Sequence, residues 1–427
     1  MNPGARVNRL LAESAPNCVF LVGYQQAYYS CNAIEAWLQA NQHVHLVLDE
    51  SHRVKSPHRG AWTSTVLRLA PLAARRDILS GTPAPQGPED LASQFEFLWP
   101  NQVILSNQVV RAGSEMAVAK RIRPLYVRIT KKRLGLRKID TFATPVELGK
   151  LQREVQDQLI AGSFQGLISK TLTRAGLRRL RMGAIRLLQL ASNPALLLGT
   201  EDEFHVPQVE LETNVALAEA LSHYAQHEIP TKFTAAAARC IERAAAGKKT
   251  IVWSSFVRNV EMFAALIRKL NPIVLHGAVP VAVEGDEPSE ETREALISRF
   301  KTVTDCYVMV GNPFACSESI SLHTVCDYAV YIDRSFNAGA LLQSMDRIHR
   351  LGLSADAVVT CEFLVSPGTI DEVVDRRLEQ KVHKLGRMLE DDGLEGLKIT
   401  MDDDPAGFDL EDAHEVVSFL RGFGSKK

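Results

Sequence analysis

The 427-residue sequence has few of the features that mark membrane, disulfide-rich or zinc-binding proteins. Its seven cysteines form no CxxC pair, and no Cys/His cluster has zinc-site spacing, which argues against a disulfide framework and structural zinc. No apolar run reaches the roughly 20 residues of a transmembrane helix, and no signal-peptide core follows Met1, so we expect a cytoplasmic protein without a membrane partner. The net charge of −1 excludes a globally basic nucleic-acid binder but permits a local basic surface.

A more consequential absence is that of a GxxxxGK[ST] loop, whose backbone amides and lysine hold the phosphates of a nucleoside triphosphate. The nearest approach, at residues 242–250, lacks the first glycine and precedes a predicted strand, whereas a true loop follows a strand and opens a helix. A glycine-rich dinucleotide fingerprint and a nucleophile–base arrangement are also absent. A metabolic α/β enzyme is therefore a poor interpretation.

Short β-branched runs alternate with amphipathic stretches near both ends of the chain, which predicts an α/β fold with parallel sheets. Strands are expected at residues 19–23, 44–48, 76–79, 250–256, 273–275, 307–310, 329–332 and 358–365. Between about residues 115 and 245 the pattern is helical. We therefore predict a partial first lobe (1–115), a helical, basic insertion (116–235), a second lobe (236–392) and an acidic tail (393–427) that is a short amphipathic helix or disordered.

Two adjacent carboxylates, Asp49 and Glu50, follow the predicted strand at 44–48, at the carboxyl edge where ligands bind in parallel sheets. ATP hydrolysis needs one carboxylate to hold Mg²⁺ and another to orient the attacking water. Asp49 suits the first role and Glu50 the second. The alternative is a turn with two solvated acids.

A second signal, Ser80-Gly81-Thr82-Pro83, also stands at a predicted strand end. Small hydroxyl residues at this position can relay the state of a phosphate site to the rest of the lobe. The same residues also make a good turn.

A third signal lies on the helix predicted near 340–351, where Gln343, Arg347 and Arg350 are spaced four and three apart and share one face. Two arginines and an amide suit the negative charge that develops on a triphosphate during hydrolysis. The alternative is a surface helix on which Asp346 pairs with Arg350.

The predicted helix at 177–198 begins within residues 170–186, a stretch that contains no acidic residue. It carries Arg178, Arg179 and Arg181. This is either a solvated helix face or a surface that meets nucleic-acid phosphates.

In this order, the motifs resemble those of the Swi/Snf-like family of helicase superfamily two, in a bacterial-type, N-terminally truncated variant. Asp49-Glu50-Ser51-His52 resembles its DEAH-type motif and Ser80-Gly81-Thr82-Pro83 the motif that follows. Further matches to the family lie at residues 122–132, 187–194, 249–256, 276–277, 333–337 and 343–352. The resemblance covers roughly residues 15–390. It implies two RecA-like lobes, of which the first is incomplete. It also implies that the protein uses ATP and Mg²⁺ to translocate on double-stranded DNA and to remodel complexes bound to that DNA.

The resemblance also implies roles for individual residues. Arg350 is similar to the arginine finger, Arg347 to a phosphate contact and Gln343 to a polar group of the cleft. Ser51, His52 and Ser80-Gly81-Thr82 are implied in coupling. The implied nucleic-acid contacts are Ser254, Ser255, Ser319, Ser321, Arg178, Arg179 and Arg181.

Two departures from the family pattern shape the functional expectation. The loop at 315–322 has serines where the family has glycines, which resembles a bacterial branch associated with restriction or phage defence. The phosphate-binding loop would lie upstream of every motif seen, so we expect an upstream segment or a second polypeptide to supply it, and weak or no hydrolysis without it. The alternative function is a non-catalytic DNA-binding or scaffolding remnant of such a motor.

Overall fold

The computed structural model of the chain describes residues 7, 11, 18–54, 60–80, 89–102, 120–127, 129, 131, 133–163, 174–199, 204, 215–281, 289–314, 320–389 and 407–424. The chain divides into two compact units. The first comprises residues 1–127 with the short stretches 384–392 and 399–403, and the second comprises the remaining residues.

The first unit is built on two parallel strands, β1 (His45–Leu48) and β2 (Arg75–Ile78), in which Leu48 lies opposite Ile78. Its helices are α1 (Tyr24–Tyr29), α2 (Cys31–Ala40), α3 (Ala61–Leu69) and α4 (Glu89–Leu98). Helix α3 makes the crossover between the strands, as a parallel pair requires. Leu48, Val66 and Phe97 form a buried cluster that joins β1 to α3 and α4.

The strand predicted at residues 19–23 is wrong. These residues have no regular secondary structure, and the Val19 and Leu21 side chains are 86% and 94% exposed. An apolar run becomes a buried strand only where a neighbouring strand accepts its backbone hydrogen bonds. Within the described part of the chain, neither β1 nor β2 pairs with residues 19–23.

The second unit contains a six-stranded parallel sheet in the order β3-β8-β7-β4-β6-β5. Its strands are β3 (Asp140–Pro145), β4 (Thr250–Trp253), β5 (Ile273–Leu275), β6 (Val308–Gly311), β7 (Tyr328–Tyr331) and β8 (Thr360–Val365). Every residue of β4 and β6 is buried, which explains why these strands are continuous apolar runs in the sequence. The predicted α/β class with parallel sheets is confirmed.

Helices cover this sheet and fill the region between β3 and β4. They are α5 (Lys150–Ser163), α6 (Arg174–Ser192), α7 (Val215–His227), α8 (Thr231–Ala245), α9 (Val257–Leu266), α10 (Arg293–Thr302), α11 (Ala338–Met345), α12 (Ile370–Leu389) and α13 (Leu410–Gly424). Helices α8 and α9 contribute Phe233, Val260 and Phe263 to the core cluster against β4, β6 and β7. No helix within the described ranges is both long and apolar enough to cross a membrane.

Strand β3 was not predicted. It lies at the edge of the sheet, pairs only with β8 among the described strands, and is mostly exposed along its length. Edge strands tolerate polar residues and proline, so Asp140–Pro145 lacks the apolar run that identifies a central strand.

In the described part of the acidic tail, residues 407–424, helix α13 is anchored by buried charges. Asp412 is fully buried and accepts hydrogen bonds from Arg377 Nε at 2.6 Å and Lys381 Nζ at 2.5 Å. Burial raises the pKa of the Asp412 carboxyl, while the two cations oppose that shift. The acidic residues of this segment therefore neutralise cations of α12 within the second unit.

Candidate functional site

The Asp49–Glu50 pair occupies a tight turn at the carboxyl end of β1. Asp49 is exposed, and its Oδ1 accepts the Glu50 amide proton at 2.9 Å. Glu50 has φ 48° and ψ 49°, a left-handed conformation that costs a non-glycine residue on the order of 1 kcal/mol or more. The chain then enters a short 3₁₀ helix, Ser51–Arg53. The turn brings the two neighbouring carboxylates to the edge of the sheet.

Two side-chain hydrogen bonds hold this turn in place. The Tyr24 hydroxyl donates to the Asp49 carbonyl at 2.7 Å, and the Tyr24 ring stacks on Trp62. Burial raises the pKa of Tyr24, so its hydroxyl keeps the proton that it donates. The Ser51 hydroxyl is buried and donates to Gln94 Oε1 at 2.9 Å. Sequence reasoning missed Tyr24, whose only signal was an aromatic residue directly after the apolar run at 19–23.

Backbone hydrogen bonds connect the carboxylate turn to the end of β2. The Ser51 amide donates to the Leu79 carbonyl at 2.9 Å, and the Leu79 amide donates to the Leu48 carbonyl at 2.8 Å. Ser80, which follows Leu79, is half-buried. The predicted coupling residues Ser51 and Ser80 thus lie on two adjacent strand ends. Gly81, Thr82 and the side chain of His52 lie outside the described residues.

The arginine motif is not a continuous helix. Helix α11 ends at Met345, so the prediction of one helical face for Gln343, Arg347 and Arg350 is wrong. Gln343 lies half-buried in the last turn of α11, and the two arginines follow in a turn. Both guanidinium groups nevertheless meet at one acceptor, because Arg347 Nη1 and Arg350 Nη1 donate to the Ile320 carbonyl at 3.1 and 3.4 Å. Tertiary contacts rather than helical spacing bring the two cations together.

The turn that carries these arginines is attached to the segment before β3. His349 is 4% exposed, and its Nε2 donates to the Arg137 carbonyl at 2.7 Å. Burial lowers the pKa of His349, and the nearby Lys131 lowers it further, which favours the neutral imidazole. Asp346 pairs with Lys131, so the predicted alternative of an Asp346–Arg350 pair is not the arrangement found.

Two predicted nucleic-acid contacts, Ser254 and Ser255, are buried after β4 and bind Asp333. The Ser254 hydroxyl donates to Asp333 Oδ2, and the Ser255 amide donates to Asp333 Oδ1, both at 2.6 Å. Ser192 and Asn259 donate to Asp333 Oδ2 as well, at 2.7 and 3.3 Å. Asp333 is 2% exposed. Ser254, through its hydroxyl, and Ser255, through its backbone amide, are therefore part of a buried polar network, and neither side chain is at the surface.

The other predicted nucleic-acid residues differ in exposure. Arg178 and Arg179 are exposed on α6, whereas Arg181 is half-buried and donates to the Phe204 carbonyl at 3.4 Å. Ser321 is half-buried and shares a hydrogen bond of 2.8 Å with His323 Nδ1. Ser319 lies outside the described residues. Arg178 and Arg179 offer the most accessible charge of this set.

The segment at 242–250, which only partly matches a phosphate-binding loop, connects the end of α8 to β4. The Lys249 ammonium donates to the carbonyls of Phe300, Val303 and Cys306 at 2.6 to 2.9 Å. An ammonium group has three protons, so these three acceptors use its full donor capacity. Lys249 thus fastens the end of α10 to the sheet.

The exposed Asp49 carboxylate fits a Mg²⁺ ion that arrives with a nucleotide, since Mg²⁺ keeps several waters and takes one or two protein carboxylates together with phosphate oxygens. Among the described residues, no three His, Cys, Asp or Glu side chains cluster as a metal cage.

No protein-family profile matches the chain. The mouse DNA annealing helicase and endonuclease ZRANB3 is 23% identical over 366 residues, which is 84% of this chain and 31% of that protein. The Arabidopsis thaliana protein CHROMATIN REMODELING 4 is 22% identical over 335 residues, 74% of this chain and 14% of that protein. The chain thus spans about a third or less of the length of these relatives.

Among solved structures, the Sulfolobus solfataricus SWI2/SNF2 ATPase core in complex with dsDNA is 20% identical and has a TM-score of 0.37, with 90% of this chain and 75% of that chain covered. Over most of its length, the chain is thus homologous to a DNA annealing helicase and to a chromatin-remodelling protein.

Proposed function

We propose that this chain belongs to a Swi/Snf-like motor that hydrolyses ATP to translocate on double-stranded DNA and remodel complexes bound there. The observation that carries the proposal is the turn at the end of β1, where Asp49 and Glu50 are held by Tyr24 and Ser51. A left-handed glutamate beside an exposed aspartate is a strained arrangement of the kind that clusters at functional sites. Homology to helicase-like ATPases supports the same reaction class.

Two sets of charged residues take part in the proposed reaction. In the first unit, Asp49 would hold the Mg²⁺ that accompanies ATP, and Glu50 would orient the attacking water. Bound ATP supplies the phosphoryl group that is transferred to that water. In the second unit, Arg347 and Arg350 stabilise the charge that develops on the phosphoryl oxygens, since guanidinium groups bind phosphate through paired hydrogen bonds. Gln343 adds a polar group in the last turn of α11.

The 427 residues contain no GxxxxGK[ST] sequence. We therefore propose that an upstream segment or a second polypeptide supplies the phosphate-binding loop. The serines at 315–322 support a place among the bacterial variants linked to restriction or phage defence. The exposed Arg178 and Arg179 support a second candidate, a non-catalytic DNA-binding remnant.

Steady-state ATP hydrolysis tests the two candidates against each other. The purified chain is assayed with and without duplex DNA, alone and together with the polypeptide encoded directly upstream. The motor predicts weak hydrolysis alone and DNA-stimulated hydrolysis in the combined preparation. Arg350→Ala is expected to lower the latter by on the order of 10³-fold, and Glu50→Gln by on the order of 10²-fold.

Arg268→Ala, at an exposed position after α9, is the matched control and should leave the rate unchanged. Salt-sensitive duplex binding that is indifferent to ATP, with no hydrolysis in either preparation, would instead establish the non-catalytic candidate.

A further inference from the structure

The segment that leads into β3 is the most basic part of the chain. Residues 120–138 include nine lysines and arginines and no acidic residue, against a net charge of −1 for the whole protein. Within the second unit, this segment ends in a compact turn, in which the Leu134 and Leu136 amides both donate to the Lys131 carbonyl at 3.1 Å. Gly135 adopts φ 73°, which allows the chain to reverse. We use the name basic turn for Lys131 and residues 133–138.

The cations of the basic turn are directed to solvent. Lys131, Arg133, Arg137 and Lys138 are all exposed. Residues 131–138 carry five lysines and arginines, whose repulsion is unfavourable for folding and is offset in part by exposed pairs such as Arg137–Asp140 at 3.6 Å. Such a cluster is typical of a surface that binds a polyanion with closely spaced charges, as in a nucleic-acid backbone.

Two contacts of different strength join the basic turn to the arginine motif. The His349 ring is buried, and its hydrogen bond to the Arg137 carbonyl is part-buried and uses a neutral imidazole, so solvent and salt affect it less than an exposed ion pair. The Lys131–Asp346 pair is open to water, with side chains 44% and 43% exposed. Exposed ion pairs contribute about 0 to 1 kcal/mol, and another anion can replace one partner at little cost. The His349 contact therefore fixes the turn in place, while the exposed pair is exchangeable.

We propose that the basic turn binds the phosphate backbone of duplex DNA, and that Lys131 exchanges its Asp346 partner for a phosphate when it does so. Because Asp346 directly precedes Arg347, this exchange changes the charge beside the arginine motif whenever DNA is bound. The inference rests on the proposed DNA-dependent motor for its partner. It adds a phosphate contact outside the predicted Arg178–Arg181 surface and a physical link from that contact to the arginines.

Duplex binding as a function of salt tests this directly. The affinity of the full chain for a short labelled DNA duplex is measured by fluorescence anisotropy across a salt series. Lys131→Gln and Lys138→Gln should each weaken binding and lower the slope of log affinity against log salt by about 0.9, the value for one lost phosphate contact. Lys301→Gln, at an exposed position at the end of α10, is the matched control and should leave the slope unchanged.

The exchange step has its own signature. Asp346→Asn removes the partner of Lys131, so it should tighten duplex binding. The gain should be up to about five-fold in affinity, which corresponds to the free energy that an exposed ion pair contributes. In a Lys131→Gln background the same change should have little effect, because there is no lysine left to release. Asp305→Asn, at another exposed position, controls for the general loss of a negative charge.

The outcomes separate this inference from the proposed function. Duplex binding that is unaltered by Lys131→Gln and Lys138→Gln would overturn the basic turn alone. Equal tightening by Asp346→Asn in both backgrounds would overturn the exchange. Wild-type binding to anionic phospholipid vesicles but not to duplex would overturn the choice of DNA. A chain that shows the predicted slopes but hydrolyses no ATP even when combined with the upstream polypeptide would overturn the motor and leave the basic turn standing.

Discussion

Asp333 offers the sharpest test of the buried polar network in the second unit. Its carboxylate accepts hydrogen bonds from Ser192, Ser254, the Ser255 amide and Asn259. Asp333→Ala removes the acceptor and leaves the Ser255 amide and the Ser192 hydroxyl, both buried, without the carboxylate to which they donate. Each such donor costs about 1 to 3 kcal/mol, so we expect a loss of about 3 to 5 kcal/mol.

The assay follows urea-dependent hydrogen exchange of the β4 amides, which reports on the second unit separately from the first. Asp346→Ala is the matched control, and its exposed pair with Lys131 predicts a loss of no more than about 1 kcal/mol. Equal losses for the Asp333 and Asp346 variants would refute the reasoning.

The two neighbouring serines sharpen the same test. Ser254 binds Asp333 through its hydroxyl, so Ser254→Ala should cost about 1 kcal/mol, whereas Ser255 uses its backbone amide, which Ser255→Ala retains. Neither change should alter the salt slope of duplex binding if both side chains are interior. A clear fall in that slope for either variant would restore the surface role predicted from the sequence.

Two further predictions concern backbone strain and pH. Gly407 has φ +58°, and an added Cβ would lie 2.5 Å from the Asn337 Cα, so Gly407→Ala should destabilise the second unit by about 2 to 4 kcal/mol. Gly247→Ala, at φ +70° with no atom within 4 Å, should cost only about 1 kcal/mol, and equal urea midpoints for the two variants would contradict the clash. The pKa of His349 in the folded chain lies below its ordinary value of 6.5. Below pH 6.5 the unfolded chain therefore binds a proton that the folded chain does not, so the free energy of unfolding should fall as the pH drops through 6.5. Urea midpoints across a pH series should show a shallower loss for His349→Gln, and an unchanged pH dependence would exclude the buried imidazole as its source.

The amino-acid sequence determined the α/β class and the positions of most central strands. β4, β6 and β7 are fully or almost fully buried, so their sequences are uninterrupted apolar runs that stand out locally. The carboxylates Asp49 and Glu50 directly follow β1, and their place at a strand end depends only on that strand. The strong apolar periodicity of the sequence at 370–389 is likewise enough to indicate helix α12 (Ile370–Leu389).

Only the tertiary structure decided how distant residues meet. The run at 19–23 has the composition of a strand, but forming one depends on a partner strand that local sequence does not specify. Arg347 and Arg350 converge on the Ile320 carbonyl although their helix ends before them, and Asp333 collects donors from residues more than 70 positions away. Local periodicity describes which face of one element is apolar. Which buried donor finds which acceptor is fixed only when the elements pack, because each buried polar group must be satisfied by whatever the fold brings within hydrogen-bond distance.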